Sequence, residues 1–382
     1  MRGPGEPQTI FAMESHMDLI ARELGMDPAE LRLKNVIRDG TRNGLGEEYH
    51  HLRGAATIEA ALEASGWWDP KPPNVGRGIA IGERAPGGGQ THAHVVFQED
   101  GTVVVYTSIF EQGSGTYTTI RQMVAEVLGV PVHRVQARVW DTDGSGFDSG
   151  AGASRFTRMA SEAAYQAAVN ARDALSTAAE ATLGWPKASV TLEGDLLWNQ
   201  ATGESVPVAG VLRDADGAVR GEGHYNDMGH AHVTAFTVQV AEVEVDPETG
   251  QVRLQRFTSV HDAGRVLNPQ GHDGQIRGGV MQGIGYALME ELPVDDGRVQ
   301  ALSFADYKVP TAADAPPMQA IAIESESGVG PFNVKGIGEN PVSPVAPAIA
   351  NAIEAAVGVR LRDLPLSAEK VYRALRRTVA PK

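Results

Sequence analysis

The chain has 382 residues, 42% of them apolar and 21% charged, which is enough material for more than one ordinary core and describes a globular protein. A formal charge of −15 leaves no basic footprint for nucleic acid or for an anionic membrane. Cysteine is absent, so this chain holds no disulfide, no thiolate metal site and no iron–sulfur cluster; any such centre belongs to a partner.

Apolar residues at helical spacing (Ile10, Phe11, Met13, Met17, Leu19, Ile20, Leu24) predict a first helix over residues 7–25, stopped by Gly25. Asp27-Pro28 opens a second, short helix through Asn35. A third spans about Ala56 to Ala64 and ends at Ser65-Gly66, and the Lys71-Pro72-Pro73-Asn74 stretch reads as a linker. A domain boundary is therefore placed near residue 74, with residues 1–74 as the helical tail of one domain and 75–382 as a second. No window has the length and apolarity of a signal peptide or a membrane span, and the chain reads as cytoplasmic.

Beyond the linker a unit recurs. Residues 93–108 alternate on both sides of Asp100-Gly101, a hairpin signature, and run through the glycine loop 111–115 into a helix ending at Leu128. Residues 236–257 alternate around Asp246–Gly250 and lead through His261-Asp262-Ala263-Gly264 into a helical stretch over 271–289. Hairpin, glycine loop and helix, twice, predict an α+β fold with largely antiparallel sheets, packed helices and internal duplication. In the second helix Gly274, Gly278, Gly279 and Gly283 suit close packing of its backbone against a neighbour. Toward the C-terminus, Ser367 is a good N-cap for a last helix with Val371, Tyr372 and Leu375 on one face.

Three glycine-rich segments lead into helices, where unpaired N–H groups and partial positive charge favour phosphate: 111–116, 149–155 and the junction into Gly271. Ser114, Ser154 and Arg155 add side-chain donors, so together the loops suit a large phosphorylated cofactor gripped mostly by backbone. None matches the Rossmann fingerprint or a Walker loop. His92 with His94, and His230 with His232, would share a strand face, but no third ligand completes either pair and no metal is assigned to them. Lys335-Gly336-Ile337-Gly338-Glu339 sets a lone carboxylate in a glycine turn ahead of an apolar helix, with the glycines expected to adopt dihedrals closed to other residues. Glu339 is the candidate base.

Taken in order, the motifs RGPGEPQ (2–8), EQGSGTYT (111–118), GAGASR (150–155), HDAGRVLNP (261–269), GQIRGGVMQGIGYAL (274–288), DYKVPTAAD (306–314) and KGIGE (335–339) resemble the molybdenum-cofactor subunit of the xanthine dehydrogenase and aldehyde oxidase family. The resemblance covers the whole chain. It implies a cofactor in which molybdenum, with oxo and sulfido ligands, is held by a molybdopterin that in bacterial members usually ends in cytosine dinucleotide. Glu339 matches the family's catalytic glutamate, which takes a proton from the metal's hydroxyl ligand while a substrate carbon, of an aldehyde or an N-heterocycle, is hydroxylated with oxygen from water.

Cofactor contacts follow from the same match: Arg2, the loop Gly113, Ser114, Gly115 and Thr116, the loop Gly152, Ala153, Ser154 and Arg155, then Gln275, Lys335, Gly336 and Gly338. Ser114 stands where the family commonly has Gln, which shortens any side-chain contact there. The chain opens on the RGPG loop, so the family's preceding half, with its glycine-phenylalanine loop, is expected from a second molybdopterin-binding chain, as in split enzymes such as the nicotinate dehydrogenases. The expected partners are that chain, an iron–sulfur subunit with [2Fe-2S] clusters and an FAD subunit. The rival of another class is a non-catalytic cofactor carrier. Substrate contacts are expected on the loops 84–90 and 144–148.

Overall fold

The computed structural model describes residues 1–42, 44, 46, 48–215, 219–229 and 233–379. His230 and His232 lie outside them. Three helices lead: α1 (Glu6–Glu23), α2 (Pro28–Asn35) and α3 (Gly54–Ser65). Asp27 caps α2 by accepting from Ala29 N–H at 2.7 Å, and Gly66 closes α3 in the left-handed region at φ 59°.

Two four-stranded sheets follow. The first is built from β2 (Gly89–Phe97), β3 (Val103–Thr107), β4 (Val135–Val139) and β5 (Arg220–Asp227) in the order β4-β3-β2-β5, and the second contains β1 (Val75–Glu83), β6 (Phe236–Val245), β7 (Val252–Gly264) and β8 (Met318–Glu324) in the order β1-β6-β7-β8. Both sheets are assembled alike. An antiparallel hairpin (β2–β3 or β6–β7) is followed by a crossover helix, α4 (Thr116–Leu128) or α6 (Pro269–Leu288), into a parallel strand (β4 or β8). A further helix, α5 (Phe156–Leu183) or α7 (Val345–Val357), then returns across the sheet, and an antiparallel edge strand (β5 or β1) lies beside the first hairpin strand. The duplication expected from the hairpin-loop-helix pattern is present, and each sheet is mixed because its crossover strand is parallel.

The edge strands repeat one device. A Cβ on Gly221 or Gly223 of β5 would overlap the backbone of α5 around Ala163–Ala171, and one on Gly76 or Gly78 of β1 would overlap α7 around Ala348–Ala356. Alanine faces meeting glycine strands bring helix and sheet backbones together at both places. The first sheet buries Val95, Val103 and Val105 against α4, which contributes Ile120, and α5. The second is covered on both faces: Ile58 and Leu62 of α3 meet Ile79 and Val238, while α6 and α7 meet Ala80, Ala241 and Phe257. The last helix, α8 (Ala368–Val379), begins after Ser367. Among the described residues no helix is long and apolar enough to cross a membrane.

Candidate active site

The loops before α4, α5 and α6 converge on one cavity of about 460 Å³, lined among others by Gly113 and Ser114, by Gly152 and Ser154, and by Asn268 and Gly271. Arg2, Gln275 and residues 335–339 complete the wall. Three helix N-termini thus face one space; at α4 the Glu111 carboxylate already accepts the Gly113, Gly115 and Tyr117 N–H groups, and at α6 Asn268 Oδ1 accepts the Gly271 N–H.

Glu339 sits on this wall with 14% of its side chain exposed. Gly3 N–H donates to its Oε1 at 3.0 Å, and its own N–H donates to Ser154 Oγ at 3.0 Å. Arg84 Nη2 lies 3.0 Å from Oε2 and forms an ion pair with it. The Glu339 carboxylate therefore lines the cavity with one oxygen held by Gly3 and the other beside Arg84, a placement suited to proton transfer with a group bound there.

The surrounding segment is tied down on every side. Gln239 Nε2 donates to Pro341 O at 2.8 Å, Asn340 Nδ2 to Ala235 O at 3.0 Å, and the Tyr286 hydroxyl to Val342 O at 2.7 Å. Arg2 Nη1 donates to Gln275 O at 2.9 Å and to Gly338 O at 3.2 Å, bridging α6 to the Glu339 turn. Burial lowers the Arg2 pKa, and the nearby Glu339 carboxylate opposes that shift. The α6 glycines serve this junction: a Cβ on Gly279 would stand 2.7 Å from Pro341 Cβ, and one on Gly278 3.2 Å from Arg2 Nη2.

Of the residues expected at the cofactor, Arg2, Gly113, Ser114, Gly152, Ser154, Gln275, Lys335, Gly336, Gly338 and Glu339 line the cavity. Gly115, Thr116, Ala153 and Arg155 stand behind it: Thr116 is buried with its hydroxyl 2.9 Å from Ser114 Oγ, Ala153 O accepts from Gly87 N–H, and Arg155 Nε donates to Gly152 O at 2.6 Å. Lys335 lines the cavity, while its ammonium is held by Asp262 Oδ1 at 2.7 Å and Ser327 Oγ at 2.9 Å. Two expectations need correction. Neither Gly336 nor Gly338 has a positive φ; Gly336 is needed instead because a Cβ would overlap the Ser154 carbonyl. The N–H groups of Gly113 and Gly115 are taken by the Glu111 carboxylate at 2.8 and 3.0 Å, so that loop's nest is already capped by an anion of its own.

Neither loop 84–90 nor loop 144–148 lines the cavity, although Arg84 reaches Glu339 from behind. His92 stacks on His224 with ring centroids 4.3 Å apart, and His94 meets Trp140 edge-on. Burial lowers the pKa of both. Among the described residues no three His, Asp or Glu side chains are grouped to hold a metal. His272, which sequence reasoning passed over, also lines the cavity; its Nε2 is buried without a partner and burial lowers its pKa. Only its place in the first turn of α6 signals it. Glu6 was legible within RGPGEPQ but was not singled out.

The chain matches a family model described as a molybdopterin cofactor-binding domain over residues 71–316, and a second of the same description over residues 1–36. It is 32% identical to the xanthine dehydrogenase molybdenum-binding subunit of Escherichia coli O157:H7, covering 97% of this chain and 52% of that protein. It is 30% identical to the aldehyde oxidoreductase molybdenum-binding subunit PaoC of the same organism, covering 97% and 51%. The chain spans about half the length of the curated relatives it matches. Quinoline 2-oxidoreductase from Pseudomonas putida 86 superposes with a TM-score of 0.85 at 27% identity, over 97% of this chain and 52% of that one.

Proposed function

The chain belongs to the molybdopterin cofactor-binding domain family, and on that premise we propose that it is a catalytic component of a molybdenum hydroxylase acting on an aldehyde or an N-heteroaromatic carbon. The observation that carries this reading is the convergence of the loops before α4, α5 and α6, Arg2, Gln275 and the Glu339 carboxylate on one cavity. The residues present fit the cofactor: partial positive charge suits phosphate groups, the buried His272 Nε2 has no partner, and Gly336 lets the two loops meet. Partial positive charge at the α5 and α6 starts suits the phosphates of the longer cytosine dinucleotide form. In this reading residues 1–74 end a first cofactor-binding domain and 75–382 form a second.

When bound, the molybdenum group supplies the two-electron chemistry of hydroxylation. The chain's residues do the rest. Gly152, Ser154 and the first turns of α5 and α6 hold the anionic end, while Arg2 locks α6 to the Glu339 turn. Gly3 fixes one carboxylate oxygen of Glu339, and the carboxylate takes and returns a proton. Electrons leave through an iron–sulfur partner, because a chain without cysteine holds no such cluster.

The test is Glu339→Gln in the complex recovered from its native host. We expect molybdenum and cytosine dinucleotide to stay at wild-type content while kcat/KM falls by about 10²–10⁴. Full turnover by the variant, or a wild-type complex without molybdenum, overturns the reading.

A further inference from the structure

We propose that Arg84 and Glu6 form a positioning pair that holds the Glu339 carboxylate in its working orientation, an inference that rests on the function proposed above. Arg84 follows β1 directly, and its side chain, 22% exposed, lies between two carboxylates. Its Nη2 stands 3.0 Å from Glu339 Oε2, and its Nη1 is paired with Glu6 Oε1. Glu6 is itself held, since Ser343 Oγ donates to its Oε2 at 3.1 Å. Ser343 is 1% exposed and belongs to the segment that carries Glu339. Asn340 Nδ2 in turn reaches the Arg84 carbonyl at 3.3 Å. The contacts close a ring that runs from Glu339 through Arg84, Glu6 and Ser343 and back along the chain to Glu339.

The ring joins three distant segments: the start of α1, the end of β1 and the 339–343 turn. A glutamate side chain has three rotatable bonds, and an unrestrained one would sample several positions at a cavity wall. Gly3 N–H fixes Oε1, and the Arg84 ion pair fixes the plane from the Oε2 side. The second carboxylate explains how Arg84 keeps its place. If Glu339 were its sole counter-charge, the guanidinium would have no partner each time Glu339 held a proton. With Glu6 beside it, Arg84 remains paired in both states and nothing has to rearrange between them.

Arg84 touches Glu339 and not the cavity, so it acts through that residue. In the holo complex, Arg84→Met is expected to lower kcat by about 10–100-fold, as expected for a displaced catalytic group, with KM and molybdenum content unchanged. Arg84→Lys should recover part of that loss, since an ammonium supplies the charge without the planar fork. Glu6→Gln should give a smaller loss of the same kind. The double variant should be no worse than Arg84→Met, because Glu6 acts through Arg84. A readout independent of turnover is the Glu339 carboxylate infrared band, identified as the one lost in Glu339→Gln, which should shift in Arg84→Met.

Additive losses, a rise in KM at constant kcat, loss of cofactor, or an unmoved infrared band would overturn the inference. The two readings fail separately. An active Glu339→Gln removes the proposed function, whereas an inactive Glu339→Gln beside a fully active Arg84→Met removes the positioning pair alone.

Discussion

His261 is fully buried, with Thr237 Oγ1 3.0 Å from one ring nitrogen and Ser259 Oγ 2.8 Å from the other. Burial, with a smaller contribution from His272, pushes its pKa down to about 3 from an ordinary value of 6.5. The folded imidazole therefore stays neutral while the unfolded chain takes up a proton as pH falls below 6.5. The stability it contributes is complete above pH 6.5 and is lost progressively toward about 3. Urea midpoints of the wild-type complex should fall between pH 7 and 5, and His261→Gln should flatten that fall by up to ~1.4 kcal/mol per pH unit. Equal slopes would mean that other groups set the acid limb. This residue appears in the sequence only as part of HDAGRVLNP, and neither its burial nor its partners could be read there. The same holds for Lys335: its motif was legible, but its partner Asp262 lies 73 positions away and no local pattern pairs them.

At the scale of elements, hairpins, caps and glycine stops were legible because their signals are local. Gly25 and Gly66 take the left-handed conformation that a helix stop needs, at φ 63° and 59°. A helix after residues 149–155 was legible, but the 28-residue extent of α5 was not, because its buried face is mostly alanine and contrasts weakly with its exposed one. The edge strands were also missed, since their glycines read as turn signals until a helix backbone is seen against them. Gly78→Ala is expected to destabilise by about 1–3 kcal/mol through overpacking against α7. Gly274→Ala is the matched control: it lies within α6 with open space around a new Cβ, and should be neutral or stabilising by about 0.5–1 kcal/mol. Thermal melts of the two variants would decide it, and equal shifts would show that overpacking against α7 does not set the response at Gly78.

At the scale of the molecule, the leading helices are built into the second sheet's layers, although their sequence reads as a remnant of something else. Arg32, 1% exposed, pairs with Glu14 at 2.8 Å and Asp18 at 2.7 Å, and Glu14 also accepts the Ile81 N–H of β1 at 2.8 Å. Burial raises the pKa of both carboxyls and Arg32 opposes it. Arg22 and Arg360 meet Glu354 on α7, so α1 is joined by charge to the helix that follows the Glu339 turn. That arrangement matters because α1 carries Arg2, Gly3 and Glu6 at its head, and all three meet the Glu339 segment. Arg32→Met leaves two buried carboxylates without their guanidinium, which is expected to cost about 3–5 kcal/mol. Because α1 and the site share one framework, the loss should not stay local: hydrogen exchange over residues 1–10 should quicken and molybdenum content should fall, although Arg32 touches neither the cavity nor Glu339. Faster exchange confined to α2, with cofactor retained, would show that the head of α1 is held by the Glu339 segment and not by the charge network behind it.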